Sequence, residues 1–320
     1  MDRYVLKRIG QALIVLLLAY TLAFFLLSAL PSDGVAARYA DPALGLSQAE
    51  IDQIREQMGV DKPLLEQYFS TLAGLLTGDL GYSVASGTPV ADLITDAAPH
   101  TFALAATSIG LAIVVALATA YVATLPGSGP LRRAVRSLPS FMVSLPGFWI
   151  AILLLQFFSF RLGWVNVVDP SPLEGLILPT LTLAVPMAAP LMQVLIRSID
   201  EVRDQPFVQV VRARGASEAR IFWRDVLRNS LLPTITMAGL LFGELVGGAV
   251  VTETVFGRAG LGSLTVNAVS SRDMPVLLGV VLIAATAYVV INLIVDLLYP
   301  VLDVRLREAP AKTAVKENAR

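Results

Sequence analysis

Six apolar runs stand out along the chain, at about 9–30, 101–125, 138–160, 176–196, 234–255 and 276–302. A bilayer-spanning helix needs roughly 20 mostly apolar residues, so each run predicts one crossing. The third and fourth are interrupted by Pro139, Pro146, Pro179, Pro186 and Pro190. Proline removes a backbone donor and kinks a helix. In a bilayer that is tolerated where neighbouring helices or a watery cavity satisfy the freed carbonyls. These two spans are therefore expected to pack in protein or to line a cavity.

The polar stretches between the runs have their own pattern. In 31–99, Ser47 and Glu50 form a capping box, with Leu46 and Ile51 placed as a hydrophobic staple. Ile51, Ile54 and Met58 then recur at helical spacing and Gly59 supplies a stop. A second helix is predicted from Pro63, with Leu64, Leu65, Tyr68, Phe69, Leu72 and Leu76 on its apolar face. Such a helix lies on the membrane surface or on the bundle. The tail 304–320 is polar and expected to be disordered.

Charge sets the expected orientation. With the N-terminus inside, 18 of the 24 Lys and Arg fall on inner segments, against Arg38, Arg55, Lys62, Arg161, Arg258 and Arg272 outside. The positive-inside rule then places both termini in the cytoplasm. The run after Arg3, Lys7 and Arg8 is longer than a signal-peptide core and no small-x-small cleavage site follows it, so it reads as a retained anchor. The expected organisation is an all-α polytopic membrane protein of six transmembrane helices. It comprises an anchor helix (1–30), an extracytoplasmic helical segment (31–99), a five-helix core (100–303) with a cytoplasmic loop at 197–233, and a cytoplasmic tail.

Composition agrees. The 320 residues are 55% hydrophobic and 15% charged, with a net charge of −1. No basic domain is present to hold nucleic acid. There is no cysteine and one histidine, His100, so the chain has no disulfide framework and no Cys- or His-rich metal site.

The polar loop at 207–233, FVQVVRARGASEARIFWRDVLRNSLLP, is the most distinctive segment. Pro206 suits a helix start, so 207–214 predicts a short helix. Gly215 takes a left-handed turn at low cost. Ser217 caps a second helix over 218–230, with Glu218 near its positive end, and Pro233 is expected to end it. The product is a helix–turn–helix finger with small residues at its tip.

Ala213, Arg214 and Gly215, with Asn229 and Pro233 at their spacing, resemble the coupling loop of ABC-importer permeases, in the dipeptide/oligopeptide/nickel branch. Further segments resemble that family in the same order, namely VDKPLLEQY (60–68), GDLGYSV (78–84), LILPTLTLAVP (176–186), GGAVVTETVFGRAGLG (247–262) and NLIVDLLYPVLDVRLR (292–307). The chain departs from the family pattern at Ser32, Val210, Val211 and Asp225. The resemblance implies a non-catalytic permease subunit that forms the path for short peptides, in a bacterial inner membrane. It implies a second homologous permease, two ATPase subunits that hold ATP and Mg, and an extracytoplasmic solute-binding protein. No cofactor is implied for this chain. Phe207, Arg212, Ala213, Arg214, Gly215, Ala216 and Ser217 would meet the ATPase. A nickel chelate or another small solute is the alternative cargo.

Other residues carry weaker signals. Gly239, Gly243 and Gly247 form a tandem G-x-x-x-G that lets another helix approach. That helix belongs either to this chain or to the second permease. Glu244 and Glu253 are intramembrane carboxylates, costly in lipid and usually aimed at a cavity or partner; with Met187 they are the pathway candidates. Asp296 lies close enough to the inner surface to pair with an Arg.

A secondary transporter or channel is the alternative of a different class; it would need midplane coupling carboxylates in helices related by a repeat, and the chain offers one candidate carboxylate and no convincing repeat. An intramembrane enzyme would have only His100 as a base. No Walker A, H-E-x-x-H or G-x-S-x-G pattern occurs.

Overall fold

The computed structural model describes residues 2–29, 39, 47–57, 61–125 and 129–302. Among them are eleven helices and no strand. They are α1 (Asp2–Ser28), α2 (Gln48–Gln57), α3 (Leu64–Thr77), α4 (Val90–Thr124), α5 (Pro130–Val143), α6 (Gly147–Leu154, continued by a π-helical stretch Leu155–Arg161), α7 (Glu174–Arg203), α8 (Pro206–Ala213), α9 (Glu218–Arg220, a π-helical stretch Ile221–Val226, then Leu227–Val255), α10 (Leu261–Ser271) and α11 (Met274–Leu302). Five helices are long and apolar enough to span a membrane, or six if α5 and α6 together make one span.

The centre of the fold is the pair α4 and α7, which pack more extensively than any other two helices. Ala112, Ala116, Ala120 and Ala123 recur along α4, each 1% exposed or less. Lipid is as apolar as the side chains, so close packing of small residues provides the adhesion. Leu191, Met192, Leu195 and Ile199 of α7 fill the opposite side, and α9 packs on α7 from the other flank.

Prolines act differently from the sequence expectation. Pro179, Pro186 and Pro190 lie within an unbroken α7, and Pro233 lies inside α9 rather than ending it. In α7, Pro179 is buried, and Ala184, Ala188 and Ala189 beside the half-buried Pro186 and Pro190 are buried too, whereas Pro233 stays helical at an exposed position. The run 138–160 is the one that breaks. Its two halves meet at 102°, because Pro146, at φ −64° and ψ 132°, opens α6 in extended geometry. α4 also starts at Val90, so Pro99 and His100 sit within it and not at its beginning.

The segment after α1 is helical as expected. Ser47 N–H donates to Glu50 Oε2 at 2.7 Å and Glu50 N–H returns to Ser47 Oγ at 3.4 Å, which is the capping box. Leu46, Met58 and Gly59 lie outside the described residues. α3 docks on the bundle through aromatic contacts. Tyr20 Oη donates to the Tyr68 carbonyl at 2.7 Å, and Tyr68 packs against Tyr20, Phe24 and Phe25. At the other end of α1, Arg8 pairs with Asp296 of α11 at 2.9 Å, as the position of Asp296 suggested.

Candidate functional site: a braced helical finger

α8 and the start of α9 form the expected finger. Pro206 occupies the first turn of α8. The chain reverses at Gly215, whose φ is +82°. A side chain there would meet nothing within 4 Å. The backbone conformation, which L-residues adopt at a cost, is therefore what calls for glycine. Gly215 N–H donates to the Arg212 carbonyl at 3.0 Å and Ala216 N–H to that of Val211 at 3.4 Å, closing the C-terminus of α8. Ser217 Oγ accepts from the Arg220 N–H at 3.3 Å and caps α9.

Two features make the finger stiff. The first is an apolar anchor. Val208, Ile221, Phe222 and Val226 are all 0% exposed and join the main core. Phe222 packs edge-on against Tyr121 at the end of α4, with ring centroids 4.9 Å apart. Fully burying such a side chain stabilises by about 1.5–3 kcal/mol where it leaves water. The second is a charge brace. Glu218 accepts from Arg212 Nε at 2.8 Å and faces Arg203 Nη1 at 3.6 Å, so one carboxylate ties the end of α7, α8 and the start of α9. Ser230 Oγ adds a bond to the Ser198 carbonyl at 3.2 Å. Arg136 closes a bidentate pair on Asp200, both bonds at 2.8 Å. The finger is thereby tied to α7 and to the rest of α9 together.

The seven expected contact residues fall on this finger. Arg212, Ala213, Arg214, Gly215 and Ser217 are exposed, as is Phe207, while Ala216 is half-buried against the core. The other site residues separate. Glu244 is exposed. Met187 is 6% exposed and packed in the core of this chain. Gly239 and Gly243 face α11, where an added Cβ would lie 3.1 Å from Val295 and 3.1 Å from Tyr288 respectively. Those two close approaches are made within the chain, whereas Gly247 opens onto free space.

Glu253 is a buried lock. It is 0% exposed. It accepts from Thr101 Oγ1 at 2.6 Å, Gly262 N–H at 2.7 Å and Ser263 N–H at 3.3 Å. Thr101 in turn accepts from Leu261 N–H at 2.8 Å. The carboxylate thus holds the N-terminal turn of α10 against α9 and α4. A Cβ at Gly262 would lie 2.5 Å from the Val250 backbone, so the glycine permits the close approach. Thr101 was not singled out from sequence, and Gly260 and Gly262 stood there only within the Gly-rich run after Glu253. Beside the lock, His100, Asp169, Glu174 and Arg258 line a cavity of about 580 Å³. Burial lowers the pKa of Arg258, against the pull of Glu253.

Residues 112–308 match the family model described as binding-protein-dependent transport system inner membrane component, and residues 1–105 match its N-terminal companion. The chain belongs to this family. It is 35% identical over 310 residues to the glutathione transport system permease protein GsiC of Pectobacterium atrosepticum, covering 96% of this chain and 99% of the relative. It is 34% identical over 318 residues to a putative peptide permease of Brucella suis, with the same coverage. Its fold is similar to inward-facing MetNI methionine ABC transporter structures, with a TM-score of 0.55 and 19% identity over 66% of this chain and 96% of that one. The chain is a multi-pass ABC-importer permease subunit of the inner-membrane type, a transport component of the kind that works with an ATPase and a binding protein.

Proposed function

We propose that this chain forms, with a second homologous permease, the path by which short peptides enter the cell, and that two ATPase subunits drive it through the 207–230 finger. The observation that carries this reading is the finger itself. A glycine turn with an open, small-residue tip is backed by a buried apolar anchor and a three-way charge brace. A surface loop with no mechanical duty has no need of either. Peptide cargo is supported by relatives named for glutathione and peptide transport.

Both termini then face the cytoplasm, as the Lys and Arg distribution favours. Closure of the ATPases presses the tip, and α6, α7, α9 and α11 rock between inward-open and outward-open states. Cargo biases that equilibrium only by its differential affinity for the two states. Glu244, exposed on α9, is the pathway carboxylate that remains a candidate, and Gly247 marks the face open to the second permease.

The test is purification of the full complex from its native host, followed by reconstitution with peptide and binding protein. Peptide-stimulated ATP hydrolysis and uptake are expected. Gly215→Asp should leave the chain in the membrane yet uncouple hydrolysis from uptake. Wild-type transport by that variant, or a chain that purifies alone, would count against the reading.

A further inference from the structure

A second concentration of chemistry lies behind the finger. A cavity of about 370 Å³ opens between α5, the C-terminal end of α7 and α8. Four guanidinium groups line it, Arg132, Arg136, Arg203 and Arg212, with Asp200 and Asp204 as the facing carboxylates. Most of these charges are committed. Asp200 is held by both Nη atoms of Arg136, and Arg132 Nε donates to the Ala123 carbonyl at 2.9 Å. Arg212 Nε takes one oxygen of Glu218.

Arg203 is the exception. Its side chain is 12% exposed, and its nearest carboxylate is Glu218, at 3.6 Å and shared with Arg212. Its Nε and Nη2 are buried with no hydrogen-bond partner, and the Glu218 Oε2 that it faces has none either. A buried guanidinium with two idle donors is unfavourable. Counting Glu218 with the two aspartates, positive groups exceed negative ones around the cavity. Donors arriving from three separate elements suit a tetrahedral acceptor with several oxygens better than a planar carboxylate.

We propose that this cavity binds a phosphate group, presented either by the headgroup of an anionic phospholipid or by a soluble phosphate. The lipid source has its own support. α5 carries Arg132 and Arg136 together with exposed Leu131, Leu138 and Phe141. That is the division expected of a helix lying at an anionic membrane surface. A bound phosphate cross-links α5, α7 and α8 and so fixes the finger to a segment that the Glu218 brace does not reach.

The binding step is read on the full-length chain in uncharged detergent, so its failure is distinct from any failure of transport. The thermal midpoint is followed against inorganic phosphate, with chloride at matched ionic strength as control. Mixed micelles of phosphatidylglycerol are then compared with phosphatidylcholine, and native mass spectrometry scores retained phospholipid. At least one phosphate source is expected to raise the midpoint. Arg203→Met and Arg132→Gln should each weaken that effect about tenfold or more, the loss of one charged hydrogen bond. A response to phosphatidylglycerol alone assigns the lipid headgroup, and a response to inorganic phosphate alone assigns the soluble source. Arg132→Gln, on the half-buried rim, keeps the test decisive if Arg203→Met does not fold. The proposal is overturned if neither source acts beyond its control, or if the folded variants bind as the wild type does.

Discussion

Removing the Glu253 carboxylate should release α10 from the bundle. Glu253→Ala deletes the acceptor of the Thr101 hydroxyl and of the Gly262 and Ser263 N–H groups. The Gly262 bond is buried, and water does not replace what it loses. An orphaned buried donor costs about 1–3 kcal/mol. With the Gly262 N–H fully deprived and the Ser263 N–H and the rotatable Thr101 hydroxyl partly so, the loss is about 2–5 kcal/mol. Glu253→Gln should be far milder, at about 1 kcal/mol. Its oxygen still accepts from the two N–H groups, and its NH₂ reaches Thr101, whose hydroxyl can turn away to donate elsewhere.

The assay is trypsin cleavage after Arg258 and Arg272, the two basic residues that flank α10. Where cleavage follows the population of the opened state, 3 kcal/mol corresponds to a rise of about a hundredfold or more in rate. Gly262→Ala, which drives a Cβ to 2.5 Å from Val250 and 2.8 Å from Glu253 Oε2, should raise cleavage too, by displacing the lock with its carboxylate still present. Refutation is simple. If Glu253→Ala is cleaved as slowly as wild type, or if Gln and Ala are equally fast, the carboxylate is not the lock described here.

Other consequences follow from the same geometry. Gly243→Leu should lower the chain's own thermal stability by about 1–3 kcal/mol through its clash with Tyr288. Gly247→Leu should leave that stability alone and weaken association with the second permease, both read by thermal unfolding and gel filtration. Tyr20→Phe removes the bond to the Tyr68 carbonyl, a loss of about 1 kcal/mol, and should make α3 more accessible to chymotrypsin. The Ser47 backbone and hydroxyl hold the Glu50 carboxyl below its usual 4.5. A depressed folded pKa contributes stability present above the unfolded value and lost as pH falls through the folded one. Hydrogen exchange at the first turn of α2 should therefore rise, relative to an unstructured peptide, as pH drops below the ordinary glutamate range. An unchanged ratio would count against the capping box.

What the sequence made legible was local. Pro206, Gly215 and Ser217 each act on the backbone beside them, so the finger could be drawn from a few residues, and Ser47 with Glu50 likewise. The apolar runs marked the spans. What escaped was non-local. Glu253 finds Thr101 across 152 positions, and no spacing rule joins them. The prolines of α7 ride inside a helix packed among its neighbours, whereas Pro146 turns the chain by 102°. The residue type is the same in each case, and tertiary packing decides the outcome. Arg203 looked like one more charge in a basic loop until its buried position set it apart.

The claim that the finger is the ATPase contact rests on its side of the membrane and on what touches its tip. The chain has no cysteine, so Ala213→Cys, exposed at the end of α8, would be a unique thiol. In the assembled importer, a membrane-impermeant maleimide should reach it only from the cytoplasmic side, and a short bis-maleimide should join it to a cysteine placed in the ATPase groove. Ser86→Cys, exposed on the opposite side by this account, should label only from outside. Labelling of Ala213→Cys from outside, or a tip that never cross-links to the ATPase, would contradict it.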